Sequence, residues 1–263
     1  MSLLFALTIA CYIASSLGYQ GYILFQKRPI YRVASILLWV GFLCHTGVMG
    51  LQYLETGHVP VQNLHETLSS FGWAVVGVFL ILQLKYHLMV LGALVAPLAT
   101  LCVVIAAMLP RPPVELAPLF KGLWRTLHLG TLIVGNAAFA IACFAGILYL
   151  IQERAIKDKR PGFFFRRLPS LKLLDSMGYA SLIVGFPMLT FGIITGVIYA
   201  QMVRPGQFWT WNPKEILGGI TWLVFAALLH ERLAVGWQGR RAAIMTIVGF
   251  VILLLTFFLF FLG

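Results

Sequence analysis

Charge is what this sequence has least of. Aspartate and glutamate together number 8 in 263 residues, and all charged residues make up only 10%. A soluble domain carries roughly a quarter, so there is too little polar surface here to face water. Cysteine is also scarce. The four present, Cys11, Cys44, Cys102 and Cys143, lie inside apolar runs, and none forms a C-x-x-C pair. That pattern excludes a thiol oxidoreductase, a cysteine zinc site and a covalent haem-attachment site. Such cysteines serve as small packing residues. No interval between apolar runs is long enough to hold a separate soluble domain, and no internal repeat stands out.

What is abundant is apolar length. The chain is 60% hydrophobic, and its runs have helix length rather than strand alternation. Lipid is the solvent that suits such runs. Only helices and closed barrels satisfy their backbone groups in lipid. The expected class is therefore all-α, a polytopic integral membrane protein of about eight transmembrane helices forming a single domain, 1–263. The spans are placed at 2–26, 33–53, 70–85, 88–109, 127–152, 177–201, 215–232 and 242–262. The third is short, and the turn after it, Lys85 to His87, is tight. The first run, Leu3 to Phe25, lacks a basic start and a small-residue cleavage site, so it is expected to be retained.

The net charge of +11 does not mark a nucleic-acid binder, because the cations sit in short loops between spans. With the N-terminus outside, inner loops hold Lys27, Arg28, Arg32, Lys85, Arg154, Lys157, Lys159, Arg160, Arg166, Arg167, Lys172, Arg232, Arg240 and Arg241. Outer loops hold Arg111, Lys121, Arg125, Arg204 and Lys214. Fourteen of the nineteen cations are thus inner, which follows the positive-inside rule and puts both termini outside. The expected location is the cell's inner (cytoplasmic) membrane. The inner segment Glu153–Ser176 holds seven cationic against three acidic residues, a surface for anionic lipid or a protein partner. A plain stop-transfer anchor is the simpler reading and the favoured one. Gly192 and Gly196 form a small-residue pair of the kind that lets membrane helices pack closely.

Three outer loops result, 54–69, 110–126 and 202–214. The third runs Gly206-Gln-Phe-Trp209-Thr-Trp211-Asn212-Pro213-Lys214-Glu215. Asn212 suits an N-cap, Pro213 the first helical position, and Glu215 completes a capping box. Asn63 and Glu66 repeat that arrangement at the end of the first loop. Helix starts favour anionic groups, and Trp209 and Trp211 offer flat apolar surface. A flat, apolar ligand with carboxylates, such as haem, matches the combination. An ordinary interfacial tryptophan belt with ordinary capped helices is the plain alternative.

Six histidines complete the inventory. His58, His65 and His128 fall at or near the outer face, and His87 and His230 at the inner face. His45 lies inside span two, about 15 Å below Glu55 at 1.5 Å per residue, and His230 about 22 Å below Glu215. At those depths His45 and His230 make a poor pair for one iron. Ionisable groups within spans are functional candidates by default. A satisfied polar group is the equally simple reading of any one of them.

The segment Gly206–Glu215 strongly resembles the tryptophan-rich WWD motif of the cytochrome c assembly protein family, the group that includes CcsA, ResC, CcmC and HemX-type proteins. His58-Val-Pro-Val-Gln-Asn-Leu-His-Glu-Thr-Leu68 resembles that family's first outer loop. Leu127-His128 resembles its outer histidine, and Ile220–Trp222, Leu229–Arg232 and Gly236–Arg241 resemble the segment after the motif. The resemblance covers the chain from about residue 40. It implies non-covalent haem b at the outer face, with His128 as an axial ligand and His230 as a membrane-embedded histidine of haem passage. Arg125 or Lys214 would pair with propionates. No catalytic residue is implied; the chain would act as a subunit of a haem-attachment system, presenting haem to apocytochrome c with a second assembly subunit. Several positions depart from the pattern. Pro205 stands for a Trp, Asn212 for the Asp, and Leu217 and Gly218 for Trp and Ser. The family's last outer histidine has no match before Gly263, so His58, His65 or His230 is the candidate for a second iron ligand, or the haem is five-coordinate. A HemX-like regulator of haem biosynthesis, contacting glutamyl-tRNA reductase through Glu153–Ser176, is the alternative. A haem-free transporter using His45 is a third.

Overall fold

A computed structural model describes residues 2–86, 89–110, 123–159, 167–203, 206 and 211–262. Among these are eight α-helices, one π-helical turn and no strand. They are α1 (Ser2–Phe25), α2 (Arg28–Thr56), α3 (Leu64–Lys85), α4 (Gly92–Met108), α5 (Leu123–Lys157), α6 (Leu171–Val203), α7 (Pro213–His230), the π turn Glu231–Val235, and α8 (Arg240–Leu262). Seven helices are long and apolar enough to cross a membrane, and Gly92–Met108 is a shorter apolar one.

The short element is thus α4 and not the third span. Asn63 starts α3 six residues ahead of the expected 70, because its Oδ1 accepts the Glu66 N–H at 2.9 Å and satisfies a first-turn amide. The expected outer loop 54–69 shrinks to the short link between Thr56 and Leu64. The ends expected to be inner move the same way: α2 begins at Arg28, α5 runs on to Lys157, and α6 begins at Leu171. Each carries charged residues past the apolar run, where helix length exceeds hydrophobic length.

Within the expected single domain, the chain resolves into two compact units, Met1–Gly122 and Leu123–Gly263. In the first, α1 packs on α2 and α4, and α3 on α4 and α2. In the second, α5 packs on α6 and α8, and α7 on α8 and α6. The two units are therefore built alike, which sequence inspection missed. In unit 1 Gly41 lies under the Tyr12 ring, Phe42 stacks on Trp73 at 5.5 Å, and Trp73 Nε1 donates to Thr46 Oγ1 at 2.8 Å. In unit 2 Gly185 lies under the Phe139 ring, Phe186 packs on Trp222 at 5.6 Å, and Trp222 Nε1 donates to Thr190 Oγ1 at 2.9 Å. Gly57, Asn63, Glu66, Leu68 and Trp73 recur in order and spacing as Gly206, Asn212, Glu215, Leu217 and Trp222. Both glycines have left-handed backbones, with φ of 70° and 86°. Identity between the segments is too sparse to read by eye, but each shared residue occupies a fixed geometric role.

Candidate functional site

One end of unit 2 is organised around His128, in the second turn of α5. Its Nδ1 lies 2.6 Å from the Gly192 carbonyl of α6. A carbonyl only accepts, so Nδ1 carries the proton and Nε2 the lone pair. The contact requires the helices to be close. A Cβ on Gly196 would sit 2.6 Å from His128 Cε1, and one on Gly192 would sit 2.4 Å from Leu132 Cδ2. The glycine pair thus makes the seat of the histidine. Sequence reasoning assigned that pair to packing alone, and its one-turn spacing was the available signal. The Thr195 hydroxyl donates to the Phe191 carbonyl at 2.7 Å, with a longer contact of 3.1 Å to the Gly192 carbonyl.

The tryptophan loop leads into α7. Gly206 is left-handed, as is Trp211 with φ 55°, a conformation that a bulky residue holds at a cost of about 1–3 kcal/mol. Trp211 is 75% exposed. Pro213 is the first residue of α7, as its fixed φ favours, and the Asn212 carbonyl accepts from Glu215 N at 2.9 Å and Ile216 N at 3.1 Å. Glu215 is the acidic residue of that first turn. The Trp222–Thr190 bond sets α7 level with α6 at that point. Counting outward from it, Pro213 comes level with Tyr199, only about 5 Å above Gly196 at 1.5 Å per residue. His128 and the start of α7 therefore share one end of the unit. Trp209 lies outside the described residues, as do His87, Arg111, Lys121, Arg166, Arg204 and Pro205. The side chains of Arg125 and Lys214 lie outside them too.

His230 is at the other end. It closes α7 two residues before Arg232, whose guanidinium lies over the Tyr179 ring at 5.2 Å. From Tyr179 to Gly192 along α6 is about 20 Å at 1.5 Å per residue, so His230 cannot share an iron with His128. Arg232 corrects another expectation. It is not a loop cation: its side chain is 7% exposed and meets Asp175 Oδ1 at 2.5 Å. Asp175 also accepts the Gly239 N–H at 2.8 Å. The π turn, with left-handed Gly236 and Gly239 after it, folds the chain back so that this pair closes the end of the unit opposite His128. Glu153 adds bonds to Lys157 Nζ at 2.7 Å and Arg240 Nη1 at 3.1 Å. Arg232, Gly239 and Arg240 lie in the segments that resemble the family's pattern, but their pairing with Asp175 and Glu153 joins residues far apart in the chain.

Unit 1 turns its expected outer-face residues inward. His58, His65 and Glu66 are all buried. His58 Nδ1 meets the Val59 carbonyl at 3.0 Å, and His65 Nδ1 meets the Ala106 carbonyl of α4 at 2.5 Å. Glu66 Oε2 accepts the Gln62 N–H at 2.7 Å, one residue short of the reciprocal bond a capping box makes. Ser70 Oγ donates to the Pro60 carbonyl at 2.6 Å and pins the loop down. For His65 and Glu66 the reason is the early start of α3: residues assigned to a loop lie on a helix packed against α4. Deeper in the unit, His45 is fully buried, with Tyr12 Oη 3.3 Å from Nδ1 and Ser69 Oγ 2.9 Å from Nε2. Among the described residues no group of three or more His, Cys, Asp or Glu could hold a metal ion, and the cysteines are free and mostly buried.

Comparison with known proteins gives this architecture a family. The family model described as "Cytochrome C assembly protein" matches residues 61–262. "Cytochrome c biogenesis protein CcsA" of Synechococcus sp. (strain CC9902) is 32% identical over 278 residues, covering 95% of this chain and 87% of that protein. The protein of the same name from Guillardia theta is 33% identical over 226 residues, covering 79% and 75%. That of Synechococcus elongatus (strain ATCC 33912 / PCC 7942 / FACHB-805) is 32% identical over 253 residues, covering 79% and 78%. These relatives go with the assembly reading and not with the regulatory alternative. A polytopic helical membrane protein matched along most of its length in this way, the chain belongs to the cytochrome c assembly protein family.

Proposed function

We propose that this protein holds haem non-covalently at the outer face of the cytoplasmic membrane and presents it for cytochrome c maturation. Haem is the cargo, apocytochrome c the recipient, and a second assembly subunit the working partner. The observation that carries the reading is the seat of His128. Metal-ligating histidines characteristically give their other ring N–H to a carbonyl or carboxylate, which fixes the tautomer and ring orientation. Here Nδ1 faces the Gly192 carbonyl at 2.6 Å, and neutral imidazole is a good iron ligand. Exposed Trp211, with Trp209 beside it in sequence, supplies apolar area suited to a porphyrin face. The start of α7 at Asn212, Pro213 and Glu215, with Arg125 and Lys214, supplies amides and charge for propionates. The haem is haem b, and both chain termini face outward.

The test is the absorbance spectrum of protein purified in mild detergent from haem-replete cells. His128→Ala should lower bound haem and shift the Soret band. Trp209→Ala with Trp211→Ala should lower occupancy without changing the ligation signature. An unchanged spectrum in His128→Ala, with loss in His45→Ala or His230→Ala, would place the haem within the membrane and refute the outer-face site.

A further inference from the structure

The two units differ in how the cations at their basic ends are answered. In unit 2 they are met within the fold. Glu153 pairs with Lys157 and Arg240, Asp158 with Arg154, and Asp175 with Arg232. In unit 1 the link between α1 and α2 carries Lys27 and Arg28, and Arg32 follows about a turn later. All three are exposed, and among the described residues none meets an acid. The described acids of this unit are Glu55 and Glu66. From Arg28 to Glu55 along α2 is about 40 Å at 1.5 Å per residue. Glu66 opens α3, whereas the other end of α3 is the one beside these cations, where Gln83 meets Tyr31 and Ser35.

A recess of about 300 Å³ opens between α1 and α2 at the same end. Ala14 and Gly18 line it from α1, and Pro29, Val33 and Leu37 from α2. Close approach of the two helices makes its floor. A Cβ on Gly18 would sit 2.8 Å from Ala34 Cβ, and Ser15 Oγ donates to the Ala34 carbonyl at 2.8 Å. Val33 stands at the open side, 58% exposed. An apolar lining of this kind offers water no partners. Pro29 to Leu37 spans about 12 Å at 1.5 Å per residue, against roughly 15 Å for one leaflet's half of the hydrocarbon core. The recess therefore follows the path of an acyl chain through one leaflet, and it stops at the cations, where a headgroup lies.

We infer that this recess binds one anionic phospholipid, an acyl chain against Gly18 and Val33 and the phosphate among Lys27, Arg28 and Arg32. Charge selects the occupant. A zwitterionic lipid fills the apolar part equally well but leaves three cations without a counter-charge. A partner's transmembrane segment would have to bring several acids to the membrane surface. An anionic lipid supplies chain and charge in one molecule, and juxtamembrane cations attract such lipids. The positive-inside rule accounts for cations at this link, but not for a recess that ends on them. The site lies within unit 1 and does not depend on the haem reading.

The experiment is native mass spectrometry of the full-length protein in detergent, titrated with phosphatidylglycerol and, separately, with phosphatidylcholine of identical chains. One phosphatidylglycerol should bind ahead of any phosphatidylcholine. Each juxtamembrane cation is worth about a fivefold preference. Lys27→Gln, Arg28→Gln and Arg32→Gln together should therefore weaken phosphatidylglycerol about a hundredfold, toward the phosphatidylcholine level. These positions are exposed, so the triple variant keeps its fold. Val33→Trp, which fills the recess and leaves the cations in place, should also weaken it. Arg154→Gln with Lys159→Gln, at another link, should not. Glycerophosphoglycerol, the headgroup without chains, should fail to displace the lipid. Equal affinity for the two lipids, unchanged affinity in the triple variant, or displacement by the bare headgroup would overturn the proposal. So would a Val33→Trp variant that changes only the number of protein copies per particle, which would make the recess a contact between copies.

Discussion

Adding a methyl group at Gly196 separates the seat of His128 from the stability of its helix. A Cβ there would lie 2.6 Å from His128 Cε1 and 2.8 Å from Nδ1, closer than carbon and nitrogen pack. The imidazole must swing away, and its 2.6 Å contact with the Gly192 carbonyl is lost. Overpacking costs roughly 1–3 kcal/mol, and loss of the hydrogen bond roughly 0.5–1.5 kcal/mol. Alanine for glycine in a helix interior returns about 1 kcal/mol. The net destabilisation of Gly196→Ala is therefore about 0.5–3.5 kcal/mol, the balance of those three terms. Loss of an outer-shell partner typically weakens metal affinity by about 10–100-fold. The variant should stay folded in detergent, with a small drop in melting temperature, and lose most of its Soret absorbance. Gly130→Ala, where an added Cβ meets nothing within 4 Å, is the matched control and should retain the wild-type spectrum. Wild-type haem occupancy in Gly196→Ala would refute the reasoning, because the ring would then not need the orientation that the glycine permits.

Three further outcomes are expected. Asp175→Ala leaves the buried guanidinium of Arg232 without its partner, and should destabilise the protein by about 3–5 kcal/mol in thermal unfolding; Arg154→Ala, at an exposed pair, should change stability by less than about 1 kcal/mol. Trp222→Phe removes the donor to Thr190 while keeping a ring against Phe186, and should cost about 1 kcal/mol in the same assay, with Trp73→Phe behaving alike in unit 1. Reporter fusions at Lys159 should read cytoplasmic and fusions at Gly263 external, and a cytoplasmic C-terminus would move the tryptophan loop to the wrong face.

The sequence by itself determined the membrane class, most of the helices and the capping residues at Asn63 and Asn212. Those depend on near-neighbour physics: the length of an apolar run, the cap at Asn63, and proline at the first position of α7. Helix ends came out short wherever charged residues extend a helix past the lipid, as at Arg28, Lys157 and Leu171, because hydropathy marks the apolar run and not the hydrogen-bonded one. The motif around Trp209 and Trp211 and the candidacy of His128 were also legible. Only the tertiary structure decided what each histidine touches. His65 follows its helix into the packing against Ala106, His230 falls at the far end of its unit from His128, and the Gly192–Gly196 pair becomes the seat of an imidazole. The pairing of Asp175 with Arg232, and of His45 with Tyr12 and Ser69, joins residues on different helices. Hydropathy carries no trace of such pairings, because they are set by how helices cross and not by the order of residues along any one of them. The likeness of the two four-helix units was hidden for the same reason: the shared residues are few, and their common role becomes visible only when Trp73 and Trp222 are each seen donating to a threonine on the neighbouring helix.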